Sequence, residues 1–182
     1  AMVPRRCLKP VLIAASILAA SAHSGLAPAQ TTETAAPSNA ATGGDEAAIR
    51  RVLTAYSDAL NGGETAAVLP LYAEDGVFMP PYSQSAVGKE AVGKAYDAVF
   101  AELKFHVEFT IAELVVMAPS WAYVRTNSAG TTEHHSTGKT TAEANQELFI
   151  FQKDGNGKWR IARYSFSPTN PPTCRPERRQ GP

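Results

Sequence analysis

The sequence predicts an α+β fold in which three helices pack within a curved, mostly antiparallel sheet. Three observations lead there. Apolar residues recur at helical spacing in three stretches between Asp45 and Leu103. From Lys104 onward the period changes from 3.6 to 2, as half-buried strands require. Asp154-Gly155-Asn156-Gly157 is a strong hairpin turn joining the last two of four long strands. Helices grouped ahead of a strand meander argue for a sheet wrapped around helices, not for alternating βα units.

The first residues read as a targeting segment. Arg5, Arg6 and Lys9 form a positive region, Val11 to Ala20 is apolar, and Ala27-Pro28-Ala29 is a small-x-small cleavage site. The apolar run is short for a bilayer span. Residues 1–29 are thus expected to be a signal peptide, giving a periplasmic or secreted chain that no longer contacts membrane after cleavage; the alternative is a retained N-terminal anchor. Residues 30–44 are Thr, Ala, Pro, Ser, Asn and Gly with a single Gln, Gln30, and a single Glu, Glu33; they bury little and are expected to be a flexible linker. Cleavage removes Cys7 and leaves Cys174, so no intramolecular disulfide is expected in the mature chain.

The folded part is expected over residues 45–168. Asp45 is a plausible N-cap for a helix whose core face carries Ile49, Val52, Leu53, Tyr56 and Leu60. Asn61-Gly62-Gly63 ends it. Glu64 to Ala73 reads as a second helix that buries Val68, Leu69, Leu71 and Tyr72, kinked or split by Pro70. Glu74-Asp75-Gly76 reads as a turn, and Val77-Phe78-Met79 as a short strand stopped by Pro80-Pro81. Tyr82 to Val87 is a loop. Gly88 to Leu103 is a third helix with Val92, Ala95, Tyr96 and Val99 on one face.

Four strands follow. Phe105, Val107, Phe109 and Ile111 alternate with polar or small residues; Trp121–Thr132 and Thr140–Lys153 flank a turn at Glu133–Gly138; Lys158–Ser167 is last. Residues 169–182 are a proline-rich tail.

Lys plus Arg and Asp plus Glu both number 17. That balance, with no basic run in the folded part, argues against nucleic acid as a partner. The arginines of the tail, Arg175, Arg178 and Arg179, read as solvated. The pairs Gly88-Lys89 and Gly93-Lys94 lack phosphate-loop spacing, and no glycine-rich cofactor loop stands out, so no cofactor is expected.

AYSDALNGGETAAVLPLYAEDGVFMPP, VGKEAVGKAY and ELFIFQKDGNGKWRIARYSFSP together resemble the nuclear transport factor 2-like superfamily, which includes ketosteroid isomerases and SnoaL-type polyketide cyclases. The resemblance covers Asp45 to Pro168. It implies a cone-shaped barrel, homodimerisation through the outer sheet face, and an internal small-molecule pocket. In ketosteroid isomerases a tyrosine of the first helix and a buried acid on a late strand donate hydrogen bonds to a developing oxyanion. Tyr56 matches the first and Glu147 lies at or next to the second; Tyr72 and Tyr96 match supporting tyrosines. The general base of that family matches Pro80, which has no ionisable group.

Alternation places Asn145, Phe149 and Phe151 on the same inward face as Glu147. Trp121, Tyr123, Arg125 and Asn127 share a face of the preceding strand, which the resemblance places inward. Arg125 then either pairs with Glu147 as a structural ion pair or holds an acidic ligand. The expected site thus comprises Tyr56 and Glu147 as catalytic residues, with Tyr72, Tyr96, Arg125, Asn127, Asn145 and Phe149 around the ligand. No metal site is expected: His134 and His135 are adjacent on a strand and point to opposite faces, with His106 and Glu108 elsewhere.

Three functions fit these residues. One is an isomerase, cyclase or lyase acting on an apolar carbonyl compound. A second is a non-catalytic ligand-binding module, which agrees with the lost base. A third is a dimeric interaction domain that uses the open sheet face.

Overall fold

The structure, a computed structural model, describes residues 39–170. The signal segment, Cys174 and most of the tail lie outside the described residues. Helix α1 spans Asn39–Gly62, followed by the short helix α2 at Thr65–Val68 and a 3-10 turn at Leu69–Leu71. Strand β1 (Tyr72–Met79), strand β2 (Ala86–Val87) and helix α3 (Lys89–Glu102) come next. Strands β3 (Leu103–Ala118), β4 (Trp121–His134), β5 (Lys139–Lys153) and β6 (Trp159–Pro168) complete one sheet ordered β2-β1-β6-β5-β4-β3. All neighbours are antiparallel except β1 and β6, which run parallel. The expected α+β cone, three helices against a curved and mostly antiparallel sheet, is the architecture observed, and the sheet is unclosed.

α1 buries Ile49, Leu53, Tyr56 and Leu60 on one stripe, at the helical spacing read in the sequence. It stops at Gly63, whose φ of +71° is cheap only without a side chain. The Gly63 N–H bonds the Ala59 carbonyl at 3.0 Å and closes the last turn. The beginning differs from expectation. The helix already runs through 39–44, so Asp45 is not its cap. Asp45 instead accepts a bond from Trp159 Nε1 at 2.9 Å and pairs with Lys153 at 2.7 Å, which ties α1 to the β5–β6 hairpin. Burial opposes its charge, but Lys153 and Trp159 outweigh that and hold its carboxyl below the usual range.

The second helix is shorter than expected. Pro70 sits in the 3-10 turn, and Tyr72 is the first residue of β1, not the end of a helix. Glu74-Asp75-Gly76 is part of β1 too, as the irregularity where its register against β6 shifts. A Cβ on Gly76 would lie 2.9 Å from the Ala73 carbonyl oxygen and from the Tyr72 ring, so the bend needs glycine. Arg160 and Arg163 of β6 donate to the Pro70 and Asp75 carbonyls and hold this bent segment in place.

β3, β4 and β5 are long, and their inner faces curve around α1 and α3. The core is strongly aromatic: Tyr164 stacks on Phe149 with centroids 4.2 Å apart, and Phe78 stacks on Tyr96 at 4.8 Å. Asn61, at the end of α1, uses its amide like a piece of strand. Its Nδ2 donates to the Val107 carbonyl and its Oδ1 accepts from the Val107 N–H, both at 2.9 Å. Beyond β6, Thr169 and Asn170 still bond β5 carbonyls, so the extended tail begins later than expected. Among the described residues no helix is long and apolar enough to cross a membrane.

Candidate functional site

Three tyrosines from three elements meet inside the cone. Tyr56 of α1 and Tyr96 of α3 have hydroxyls 2.7 Å apart, and Tyr72 of β1 reaches the Tyr96 hydroxyl at 3.0 Å. All three are at most 1% exposed. Burial pushes their phenols well above the ordinary value, and Tyr164 shares the same environment. They therefore remain protonated hydrogen-bond donors.

Beside this cluster lies a cavity of about 150 Å³. Tyr56, Tyr96 and Tyr164 contribute to its wall, with Phe78, Phe109 and Phe166 among its apolar lining. Pro80 lines it as well, at the end of β1. Its polar side is formed by Ser128 of β4 and by Glu143 and Asn145 of β5. Among the described residues no Lys, Arg or His lines it, so it does not favour an anion.

Behind the polar side runs a hydrogen-bonded strip. Thr126 Oγ1 and Ser128 Oγ each donate to Glu147 at 2.5 Å. Asn145 Nδ2 donates to Glu143 Oε1 at 2.8 Å and lies 3.4 Å from Ser128 Oγ. Thr132 Oγ1 donates to Glu143 Oε2 at 3.0 Å. Glu147 is 5% exposed. Burial raises its carboxyl above the usual carboxylate range and Glu143 adds to this, although both hydroxyls pull the other way.

Of the residues read from the sequence, Tyr56, Tyr96 and Asn145 line the cavity together. Tyr72, Glu147 and Phe149 are buried behind its wall: Tyr72 supports Tyr96, Glu147 supports Ser128, and Phe149 packs beneath Tyr164. Arg125 and Asn127 are corrections. Both are on the outer sheet face, and Arg125 pairs with Glu113 at 2.7 Å, not with Glu147. The register explains why. Thr126, not Arg125, is opposite Glu147, and Ala122 and Val124 are opposite Phe151 and Phe149. Residues opposed across antiparallel strands share a face, so the large inward rings of β5 meet small residues of β4. Sequence reasoning missed Ser128, Thr132 and Glu143. Extending the β5 alternation two residues before Asn145 reaches Glu143.

His135 has a structural partner. Its Nδ1 donates to the Ala101 carbonyl at 3.0 Å, and its backbone N–H donates to the Glu102 carbonyl at 2.8 Å, so the β4–β5 turn caps the end of α3. His134 bonds Thr141 Oγ1 instead. Among the described residues no cluster of three metal-ligating side chains occurs.

A family model described as a SnoaL-like domain matches residues 53–164. The chain belongs to the SnoaL-like family. A ketosteroid isomerase-like protein from Erwinia carotovora atroseptica SCRI1043 is 38% identical, with a TM-score of 0.67 over 69% of this chain and 96% of that one. A conserved protein from Planctomyces limnophilus DSM 3776 is 26% identical, with a TM-score of 0.61 over 69% and 98%. A nuclear transport factor 2-like superfamily protein from Salmonella enterica serovar Typhimurium LT2 is 14% identical, with a TM-score of 0.64 over 73% and 96%, a likeness of fold alone. A search of functionally curated proteins finds no match. Membership in the SnoaL-like family fixes the cone and leaves the chemistry to the side chains of this cavity.

Proposed function

We propose that this SnoaL-like domain binds a small, neutral, mainly apolar compound carrying a carbonyl, and acts on it in an isomerase-, cyclase- or lyase-type reaction. The observation that carries the reading is the apolar cavity of about 150 Å³ with protonated Tyr56 and Tyr96 in its wall. A dry cavity of that volume accommodates a single benzene-sized ring. A steroid would require the walls to move. A buried phenol donating to a carbonyl oxygen stabilises negative charge that develops there, and the low dielectric strengthens the bond. The likeness to a ketosteroid isomerase-like protein supports the same reaction class.

Binding without catalysis is the second reading, and Pro80 favours it by placing no ionisable group at that end of the cavity. We further propose that the mature chain is exported, as the N-terminal segment suggests, and works without nucleic acid or cofactor. N-terminal sequencing of the protein from a periplasmic fraction tests the export.

The ligand site is tested by NMR of the full chain titrated with 2-cyclohexenone, cyclohexanone and benzene. The ketones are expected to shift aromatic signals of the cavity, and Tyr96→Phe to weaken ketone binding more than benzene binding. Cavity signals unmoved by all three probes would overturn the reading.

A further inference from the structure

We propose that Glu143 is the general base of this cavity, acting on a carbon next to the carbonyl of a neutral ketone or enone. The inference rests on the ligand site proposed above and goes beyond it. Four ionisable side chains line the cavity, and three are buried phenols held protonated. Glu143 is the fourth and the one carboxylate among the described lining residues. Glu147 stands behind Ser128 and does not line the cavity.

The Glu143 carboxylate is fixed without being neutralised. Each oxygen accepts one bond, Oε1 from Asn145 and Oε2 from Thr132. An ionised carboxylate has about four lone-pair sites, so acceptor capacity remains. Among the described residues no Lys, Arg or His is within ion-pair distance of it, so no cation occupies its oxygens. Its two partners are themselves held: Thr132 is 1% exposed and Asn145 is 7% exposed, with its amide against Ser128. Neutral phenols on the helices and a carboxylate on β5 thus face one small apolar space.

That arrangement suits proton transfer at carbon. Glu143 takes the proton from the carbon next to the carbonyl as the C–H bond breaks. The bond's electron pair forms a carbon–carbon double bond, and the carbonyl π pair moves to oxygen. Tyr56 or Tyr96 donates a hydrogen bond to that oxygen. The Glu143 carboxyl then swaps that proton with solvent and returns a solvent-derived one to the same carbon, to give exchange, or delivers a proton to the far carbon of a conjugated system, to give an isomer. No oxidant or further reactant enters. A carboxylate ligand is disfavoured by the Glu143 charge.

The test follows exchange of cyclohexanone and 2-cyclohexenone protons for deuterium by NMR in D2O buffer, with the full chain. Wild type is expected to accelerate exchange above buffer. Glu143→Gln should lower it about a hundredfold or more while probe binding and melting temperature are kept, and Glu143→Asp should recover part of the rate. Equal exchange by wild type and Glu143→Gln would overturn the assignment. Probe binding without accelerated exchange by wild type would overturn the base alone. Absence of probe binding would overturn the ligand site, and the base with it.

Discussion

Glu147 is a buried acid with two hydroxyl donors and, among the described residues, no basic partner, and its titration is linked to stability. Burial raises its folded-state value above 4.5, the ordinary value. The native state therefore holds the proton more tightly than the unfolded chain does. That contribution is complete below pH 4.5 and is lost as pH rises through the folded value. Glu147→Gln is expected to keep the fold and to remove this loss. The melting temperature of wild type should consequently fall relative to Glu147→Gln as pH increases from 4.5 towards neutrality. Thermal melts of both proteins across that range check the sign; parallel curves would show that the carboxyl titrates normally. At this scale the sequence was informative about the tyrosines, because aromatic residues on a helical core stripe converge wherever helices meet. It was less informative about Ser128 and Thr132. A small hydroxyl residue on a strand carries no signature until its cross-strand partner is known.

The elements show what fixes those partners. β4 and β5 are joined through His135–Gly138, with His134 opposite Lys139. Pairing Arg125 with Glu147 needs a register one residue away, and such a slip moves every side chain of a strand to the other face. The alternation of β5 was legible because Phe149 and Phe151 are both large and apolar. β4 offers Trp121 and Tyr123 on one face and Ala122 and Val124 on the other, so hydrophobicity alone does not select its inner side. Pro70 predicted a broken helix correctly, yet Tyr72 passed to β1 because the parallel pairing with β6 claims it. Close approach of β3 and β4 gives an element-level prediction. A Cβ on Gly130 would lie 2.0 Å from the His106 carbonyl oxygen. Gly130→Ala must push two backbones apart and should cost about 1–3 kcal/mol. Gly155→Ala, at a site with open space, should cost little. Urea unfolding of the two variants measures the difference.

For the whole molecule, the change of periodicity after Leu103 was enough to anticipate a sheet enclosing helices, since few other packings bury three amphipathic helices and four long strands. Partners are proposals at this scale. The outer sheet face presents Leu148 (40% exposed), Trp121 (37%) and Met117 (54%). Exposed apolar residues on one sheet face are a kind of surface two copies can cover by symmetry. We expect the mature chain to be a dimer by light scattering at micromolar concentration, and Leu148→Asp to shift it towards monomer without lowering helix content. A wild-type monomer would remove the idea, and the exposed apolar residues would then be ordinary surface.

β3 is a sixteen-residue strand at the border of the sheet, and an open border of that length invites other chains to add to it. At Val107 that invitation is withdrawn. The amide of Asn61 occupies both backbone groups that point away from β4, leaving an incoming strand nothing to pair with there. The last turn of the first helix thus closes this point of the border to strand addition, and replacing Asn61 by alanine would leave both Val107 groups open to an incoming strand.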